Sequence, residues 1–353
     1  MPAYNEESQI GMVIETMPDF VDRIIIVNDC STDNTANIIK EYITKCESRS
    51  IPKKKPIEDT KYNYAEIAAL KRDEEEIKYF IDSKIWNDNL SDKLVLIDQV
   101  NNGGVGAAIA RGYKWCKDNS IDCSAVMAGD AQMDPAELES LCLPVINENI
   151  DYVKGNRLIH RSAWIVIPKI RFFGNSILSI LTKLASGYWH VSDTQTGYTA
   201  ISLKALKSIR IYDIYKSYGM PNDMLVKLNI AFCTLKEVEI KPVYNVGEES
   251  KMKVAKVIPT VSWLLVKSFF KRLWVKYLFK DFHPLFLLYH LSFIMFGLSI
   301  PFFISILNKF FIPGQAIVSN NLIAFIFLLF TSVQFFLFAM WMDIQDNERL
   351  YKI

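Results

Sequence analysis

Apolar and polar positions along residues 1–250 repeat in the order strand, loop and helix. Three short apolar runs end in polar residues, at 23–29, 93–99 and 124–130; the first is rich in β-branched residues and the third in small ones. Each is followed by a segment with apolar residues at helical spacing, at 31–43, 101–118 and 135–146. This repeat predicts an α/β domain with a mostly parallel sheet, whose ligands bind at the carboxyl ends of the strands.

A charged segment at residues 46–92 interrupts the repeat. Its first part, SRSIPKKKPIEDTKYNY, contains prolines and mixed charges, and EIAALKRDEEEIKYFIDSKI, residues 66–85, is predicted to be a helix. The pattern indicates a surface insertion with no chemistry of its own.

Hydrophobicity rises beyond residue 281. No formally charged residue occurs from 282 to 308 or from 310 to 342, and each run exceeds the ~20 residues that span a bilayer. Residues 282–342 therefore predict an anchor of two transmembrane helices. The alternative is a buried helical hairpin in a soluble protein.

Basic residues directly before the anchor predict its orientation. Residues 251–280 contain eight Lys and Arg and no acid, whereas Lys309 is the only charge between the two runs. The positive-inside rule places residues 1–250, both termini and the tail 343–353 in the cytosol, and a prokaryotic plasma membrane is favoured over the endoplasmic reticulum. Trp and Phe interleave with the basic residues at 251–281, which predicts an amphipathic helix among the lipid headgroups. A helix packed on the protein itself is the alternative.

Composition excludes some classes of function. Half of the residues are hydrophobic and the net charge is +1, so no basic excess points to nucleic acid. The six cysteines form no CxxC pair and the four histidines show no zinc spacing, which predicts free thiols. Self-association is left open.

Polar residues after the third apolar run suggest a metal site. Asp130, Gln132 and Asp134 occupy alternate positions, which point the same way in an extended chain, and oxygen ligands suit Mg²⁺ or Mn²⁺. Alternatively, Asp134 and Pro135 form an N-cap with proline in the first helical turn. The glycine-rich segment at 102–106 predicts either a phosphate cradle at a helix start or tight strand-to-helix packing.

Seven segments occur in the order seen in family 2 glycosyltransferases. They are MPAYNEE, VNDCSTDNT, NNGGVGAAIARG, AGDAQMDP, GNR at 155–157, DTQTGYTAIS at 193–202 and GEESK at 247–251. The chain most resembles the polyprenyl-phosphate glycosyltransferases of the dolichyl-phosphate mannose synthase type that carry their own membrane anchor. The resemblance implies a GT-A fold, which is Rossmann-like. It also implies inverting transfer of a sugar from a UDP- or GDP-linked donor to a polyprenyl phosphate among membrane lipids.

The resemblance also implies roles for individual residues. Those implied to bind the nucleotide sugar are Pro2, Tyr4, Glu6, Asp29, Gly103, Asp130 and Gln132. Two of these, Asp130 and Gln132, would hold Mg²⁺ or Mn²⁺. The implied catalytic residues are Asp130, Arg157, Asp193 and Lys251. By the same resemblance the lipid phosphate would meet Arg157 and Lys251, and the helical pattern at residues 168–188 adds Arg171 to them.

Three departures from the family pattern keep alternatives open. Ala128 and Asn28 stand where the family has acids, and Met1 directly precedes the loop that in the family follows a first apolar strand. We expect the recorded start to lie too late, because loss of a central strand would expose sheet edges. The alternatives to transfer onto a polyprenyl phosphate are another lipid or glycan acceptor, or a non-catalytic membrane protein that keeps the fold.

A path for the lipid is predicted at residues 168–188. Apolar residues recur there at helical spacing, and Lys169, Arg171 and Lys183 flank them. The helix would lie on the membrane beside the basic helix. The alternative is a helix that faces the core of the domain.

Overall fold

The computed structural model describes residues 1–46, 60, 62–87, 92–167, 169–243, 254–311 and 318–352. The strands are β1 (Pro2–Ala3), β2 (Ile24–Asn28), β3 (Ser83–Ile85), β4 (Leu94–Gln99), β5 (Cys123–Val126), β6 (Tyr152–Asn156), β7 (Thr199–Ser202), β8 (Leu235–Glu239) and β9 (Tyr351–Lys352). The helices up to residue 243 are α1 (Ile10–Glu15), α2 (Thr35–Ile43), α3 (Tyr64–Glu75), α4 (Val105–Asp118), α5 (Leu138–Asn147), α6 (Ala163–Val166), α7 (Lys169–Ser186), α8 (Leu203–Ser208) and α9 (Met220–Ile230). Beyond that residue lie α10 (Val254–Trp274), α11 (Leu285–Phe311) and α12 (Ser319–Glu348).

The predicted α/β domain is confirmed, and its strands form two adjoining sheets. The first has the order β1-β2-β4-β3, with only β3 antiparallel to its neighbour. The second has the order β5-β7-β6-β8-β9, and β7 runs antiparallel to both of its neighbours. The chain leaves β6 and enters β7 at the same edge, next to the contact between Arg157 and Asp193. A strand entered at the edge where its neighbour ends has to run antiparallel to it, so the second sheet is mixed.

The segment 46–92 adds structure to the first sheet. The helix predicted over 66–85 is shorter, because α3 ends at Glu75, a 3₁₀ turn follows at Glu76–Tyr79, and Ser83–Ile85 forms β3. Pairing with β4 satisfies backbone groups that a longer helix would have used internally. The Lys117 ammonium holds this segment through ion pairs of 2.9 Å to Asp73 and 3.2 Å to Glu76. Residues 47–59, 61 and 88–91 lie outside the described residues.

Two long apolar helices follow the domain, as predicted. Both α11 and α12 are long and apolar enough to cross a bilayer. They pack against each other through reciprocal hydrogen bonds: the Ser292 hydroxyl donates to the Ser332 carbonyl at 2.9 Å, and the Ser332 hydroxyl donates to the Ser292 carbonyl at 3.0 Å. Small polar residues at such a contact allow two helices to approach closely in lipid.

Helix α10 has features of both arrangements predicted for residues 251–281, a helix packed on the protein and a helix among the lipid headgroups. Four apolar residues at helical spacing are buried against the protein, namely Val261, Leu265, Phe269 and Leu273. Trp263, Val266 and Phe270 on its other side are exposed. The helix continues as a π-helix over Val275–Lys280. It is therefore packed on the protein along one face and carries an uncovered apolar face along another.

The segment predicted as a tail, 343–353, belongs to the folded domain as far as it is described. Helix α12 runs to Glu348, and β9 then pairs in parallel with β8, with Tyr351 opposite Leu235. The Leu235 N–H donates to the Leu350 carbonyl at 2.7 Å. This pairing puts the C-terminal segment and the α/β domain on the same side of the apolar hairpin.

Candidate functional site

The loops after β1 and β2 are bonded to each other. The Asn5 N–H donates to the Ser31 hydroxyl at 3.0 Å, and the Thr32 N–H donates to the Asn5 side-chain oxygen at 2.8 Å. One residue further along, the Glu6 N–H donates to the Thr35 hydroxyl at 2.9 Å. The structure thus brings the two predicted nucleotide-binding loops together at the carboxyl ends of their strands.

Three predicted nucleotide-binding residues lie on the first of these loops or next to it. Pro2 is buried in β1, Glu6 is half-buried, and the Tyr4 ring is exposed. An exposed aromatic ring at a strand end is able to stack on a nucleotide base. The predicted role of Tyr4 is therefore compatible with its position.

Asp29 holds the glycine-rich loop. Its buried carboxylate accepts the Gly103 N–H at 2.7 Å and the Gly104 N–H at 2.8 Å. A buried carboxylate with two amide donors is a strong local anchor. In the structure Asp29 therefore positions the glycine-rich loop. Its contact with a nucleotide base remains a prediction.

The glycines of this loop are needed for close backbone packing. Gly104 has φ = +85°, and a Cβ there would lie 2.5 Å from the Lys216 carbonyl oxygen. A Cβ on Gly106 would lie 2.0 Å from the Tyr215 carbonyl oxygen, and the Gly106 N–H donates to the Lys216 carbonyl at 3.0 Å. An amide at the helix start that already donates to protein is not available to a phosphate. These contacts favour the packing interpretation of the segment over the phosphate cradle.

Replacing Gly106 with alanine will destabilise the protein by about 1–3 kcal/mol, because the added methyl group overpacks against a backbone carbonyl. Gly112 in the same helix is the matched control, since a Cβ there meets its nearest atom at 3.5 Å. Gly112→Ala will be neutral or stabilising by about 0.5–1 kcal/mol. Thermal unfolding of both variants checks the comparison, and equal midpoints would contradict it.

The acidic loop after β5 is a turn. Ala131 has φ = +58°, and the Gln132 N–H donates to an Asp130 carboxylate oxygen at 3.2 Å. The chain is therefore not extended across positions 130, 132 and 134, and the alternation that would point these three side chains the same way is interrupted at Ala131. Asp134 caps the next helical turn through the Ala136 N–H at 3.0 Å, which supports the N-cap interpretation.

The acidic loop lies beside the start of the chain. The Gly129 N–H donates to the Pro2 carbonyl at 3.2 Å, so Asp130 sits next to the loop that carries Tyr4. Across the described ranges no group of three or more His, Cys, Asp or Glu could hold a metal ion. One carboxylate together with substrate phosphates is nevertheless a usual way to bind Mg²⁺. The half-buried Asp130, with Gln132 in the same turn, fits an ion of this kind.

Arg157 and Asp193 form the best-defined pair of predicted site residues. The Arg157 Nε donates to one Asp193 oxygen at 2.8 Å and its Nη2 donates to the other at 3.1 Å. Asp193 is almost completely buried, whereas about a quarter of the Arg157 side chain is exposed. Burial alone would raise the pKa of Asp193, but the Arg157 guanidinium and the Lys154 ammonium outweigh it and hold that pKa below its ordinary value. Asp193 is thus an ionised orienting group for Arg157.

Two charged residues beneath this pair were not predicted. The fully buried Lys154 donates from its ammonium to the Thr196 carbonyl, and burial lowers its pKa to about 8, although Asp193 and Glu237 oppose that shift. The Glu237 carboxylate accepts the Ser192 N–H at 3.0 Å and the Asp193 N–H at 3.1 Å. Burial raises the pKa of Glu237, and these two amides oppose the rise. The signal in the sequence is slight: Lys154 directly follows the apolar pair Tyr152 and Val153, and a lysine buried in a strand needs polar partners.

Gln195 connects the same loop to a neighbouring helix. Its side-chain N–H₂ donates to the Asn222 side-chain oxygen at 3.0 Å, and the Thr182 hydroxyl donates to that oxygen at the same distance. The loop also touches the acidic turn, because the Tyr198 hydroxyl donates to the Asp134 carbonyl at 2.8 Å. The regions of Asp130 and Asp193 are therefore joined by direct contacts.

The structure does not describe the side chains of two basic residues that were predicted to bind phosphate. Lys251 and the GEESK segment lie outside the described residues, and so does the side chain of Arg171, whose backbone is part of α7. All six cysteines are free, as predicted.

Several known proteins resemble this chain. The family model Glycosyl transferase family 2 matches residues 1–62. A UDP-N-acetylglucosamine–dolichyl-phosphate N-acetylglucosaminyltransferase from Methanococcus voltae is 31% identical over 251 residues, which cover 69% of this chain and 84% of that protein. A dolichyl-phosphate beta-glucosyltransferase from Trichomonas vaginalis is 22% identical over 289 residues, which cover 77% of this chain and 73% of that protein.

Among solved structures, glucosyl-3-phosphoglycerate synthase from Mycobacterium tuberculosis has a TM-score of 0.46 at 16% identity, over 77% of this chain and 78% of that chain. The relative from Methanococcus voltae is close enough over most of its length to decide the family. The chain therefore belongs to glycosyl transferase family 2 and is a glycosyltransferase.

Proposed function

We propose that the protein transfers a sugar from a nucleoside-diphosphate sugar to a polyprenyl phosphate at the membrane surface. The names of two relatives, which specify dolichyl phosphate with N-acetylglucosamine or glucose, support this acceptor class. The structural observation that supports this proposal most directly is that the chain returns from α12 into strand β9 of the domain. With α11 and α12 in a bilayer, that connection would hold the site near the membrane in which such an acceptor resides.

The chemistry requires positioning rather than a strong base. A lipid phosphate is mostly ionised near neutral pH, because the second pKa of a phosphate monoester is about 6. Arg157, oriented by Asp193, would hold a phosphate through charge-assisted hydrogen bonds. Asp193 itself is ionised and bonded to Arg157, so it orients a cation instead of taking a proton. Attack in line at the anomeric carbon would invert the configuration, as the family resemblance implies.

A divalent cation fits the acidic turn. Asp130 and Gln132 would hold Mg²⁺ or Mn²⁺ together with the diphosphate of the donor, and the ion would supply positive charge that stabilises the leaving diphosphate. Asp29 holds the adjacent glycine-rich loop in place through the amides of Gly103 and Gly104. Lys251 would add a further positive charge near the phosphates, as the resemblance implies.

The lipid would approach along α7 and α10. Ile177, Ile180 and Leu181 on α7 are exposed, whereas Leu184 packs against the buried cluster at α10. Helix α7 thus has both features predicted as alternatives for residues 168–188: one face packs on the protein, and another apolar face is uncovered. Together with the exposed Trp263 of α10, that face suits contact with acyl chains. Arg171 would meet the lipid phosphate there.

The assay of the proposal uses the full chain in detergent with polyprenyl phosphate, Mg²⁺ or Mn²⁺ and a panel of UDP- and GDP-linked sugars. We expect a glycosylated lipid by mass spectrometry, and its mass names the sugar. The proposed cytosolic orientation adds an expectation for sealed membranes. Because nucleotide sugars do not cross a bilayer, inside-out vesicles will be active and right-side-out vesicles will not.

Asp130→Asn will lower the transfer rate about 10- to 100-fold, because the neutral side chain no longer offers a negative charge to the cation. Asp134→Asn makes the same change in the same turn, and asparagine still caps the helix, so this control will keep nearly full activity. Equal losses in the two variants would contradict the role of Asp130. A folded chain that forms no lipid product with any donor would refute the acceptor class.

A further inference from the structure

The last strand of the domain comes from beyond the apolar hairpin and lies close to the site. Strand β9 pairs with β8, and β8 pairs with β6, which leads directly into Arg157. The Tyr351 side chain on β9 contacts a carboxylate on β8, because its hydroxyl donates to a Glu237 carboxylate oxygen at 3.4 Å. The Tyr351 ring also packs on the His190 ring, with 5.3 Å between ring centroids. Tyr351 thus touches both Glu237 and the segment that enters the Asp193 loop.

Glu237 is the link between Tyr351 and this loop. The carboxylate oxygen that faces Tyr351 also accepts the Ser192 N–H at 3.0 Å, and the other oxygen accepts the Asp193 N–H at 3.1 Å. Two consecutive backbone amides are therefore aimed at one side chain, immediately before the carboxylate that orients Arg157. A change in the position of Glu237 shifts this part of the backbone.

A second contact reaches the same loop from the end of α12. The fully buried Asp343 carboxylate accepts two hydrogen bonds from Arg272, each of 2.7 Å. Arg272 also donates to the carbonyls of Ala185 at 2.9 Å and Leu184 at 3.0 Å, at the C-terminal end of α7. One turn or two earlier on α7, the Ser179 hydroxyl donates to the Ser192 carbonyl at 3.0 Å.

We propose that residues 343–352, which form the last turns of α12 and strand β9, position the candidate site, with Tyr351 as a positioning residue for Glu237 and the Asp193 loop. The segment contacts the loop from two sides, through Glu237 and through α7. A transferase anchored only by a flexible tether would not need these contacts. The role in sugar transfer rests on the proposed function, whereas the role in holding the loop does not.

Tyr351→Phe tests the proposal, because it removes one hydroxyl and keeps the ring on His190. We expect about five- to ten-fold faster hydrogen exchange at the amides of Ser192 and Asp193, the fold-change that corresponds to one hydrogen bond. We also expect a comparable fall in kcat in detergent, where attachment to a membrane plays no part, with little change in KM for the nucleotide sugar. Glu237→Ala will increase the exchange rate and lower kcat more than Tyr351→Phe does. Glu237→Gln keeps one acceptor oxygen, so its effects will be larger than those of Tyr351→Phe and smaller than those of Glu237→Ala.

Tyr42→Phe is the matched control. Tyr42 also donates to a glutamate, Glu15, at 2.5 Å, and this contact joins two helices that pack on the first sheet. The control will leave exchange at the loop and kcat unchanged. If Tyr351→Phe behaves like Tyr42→Phe in both measurements, the proposal is wrong. If the wild-type protein transfers no sugar, the proposed function fails, and the exchange data still decide whether Tyr351 holds the loop.

Discussion

Asp193→Asn will reduce kcat/KM for sugar transfer by about 10²–10³-fold, the range found when one preorganised electrostatic group is removed from an active site. Asparagine has nearly the same shape, but it is neutral and replaces one acceptor oxygen with an N–H₂ donor. That donor would face the Arg157 guanidinium, which now donates to Asp193 at 2.8 and 3.1 Å. Arg157 would lose both its counter-charge and its orientation, so it would hold a phosphate poorly.

Arg157→Lys will lose less activity than Asp193→Asn, because lysine keeps the charge but gives up the paired geometry. The matched control is Asp118→Asn. Asp118 accepts from Lys114 at 2.5 Å at the far end of α4, a helix whose 14 residues span about 20 Å. We expect nearly unchanged activity there. Steady-state kinetics of all three variants will show whether kcat/KM falls most in Asp193→Asn, less in Arg157→Lys and least in Asp118→Asn. Equal falls in Asp118→Asn and Asp193→Asn would point to a general effect of removing an ion pair.

The sign of the pH dependence follows from the same pair. Because Arg157 and Lys154 hold the pKa of Asp193 below its ordinary value of 3.8, the folded protein binds this proton less readily than the unfolded chain does. The stability contributed by the pair is therefore present above that ordinary value and is lost as the pH falls through the lowered one. Asp193→Asn will remove this part of the acid dependence of unfolding.

Asp343→Asn will lower the free energy of unfolding by about 3–5 kcal/mol, because it leaves the buried Arg272 guanidinium without a counter-charge. Both side chains of this pair are fully buried, and their contacts are 2.7 Å long. The Tyr277 hydroxyl and the Asn347 side chain donate to the same carboxylate oxygen, at 2.8 and 2.7 Å. The loss thus disturbs a network that joins α10, the π-helix and α12.

Two further variants separate the charge from the packing. Asp281→Asn is the control, since Asp281 pairs with Arg349 at 3.8 Å and more than half of each side chain is exposed. We expect a change within about 0.5 kcal/mol there. The double variant Arg272→Met with Asp343→Leu removes both charges, so it will be less destabilised than the sum of its two single variants. Thermal unfolding in detergent measures each, and a midpoint for Asp343→Asn equal to that of Asp281→Asn would contradict the prediction.

Local pattern was sufficient for many elements of this protein. The strands predicted at 23–29 and 93–99 are observed at Ile24–Asn28 and Leu94–Gln99, because alternation and run length depend on adjacent residues. The cap at Asp134 was also foreseen as an alternative, since an N-cap is a contact across only two residues. The turn at Ala131 was not foreseen, because nothing in its side chain favours positive φ.

Contacts between distant residues account for what the sequence did not reveal. Glu237 bonds to Ser192, 45 positions away, and Arg272 bonds to Asp343, 71 positions away. In the sequence, Arg272 is one of eight basic residues before the anchor, which the positive-inside rule counts without distinguishing them. Its burial depends on how α10 packs against α7 and α12, and no local pattern encodes that arrangement.

Residue types at short spacing were enough to predict the α/β repeat, the order of the family motifs and the two long apolar helices. Three features became visible only in the folded chain. They are the ion pair of Asp193 with Arg157 beside Lys154 and Glu237, the packing of the glycine-rich loop against Lys216, and the strand that the C-terminal residues add to the domain. These features arise where segments far apart in the chain meet, since burial and ion pairing depend on the neighbours that folding brings together.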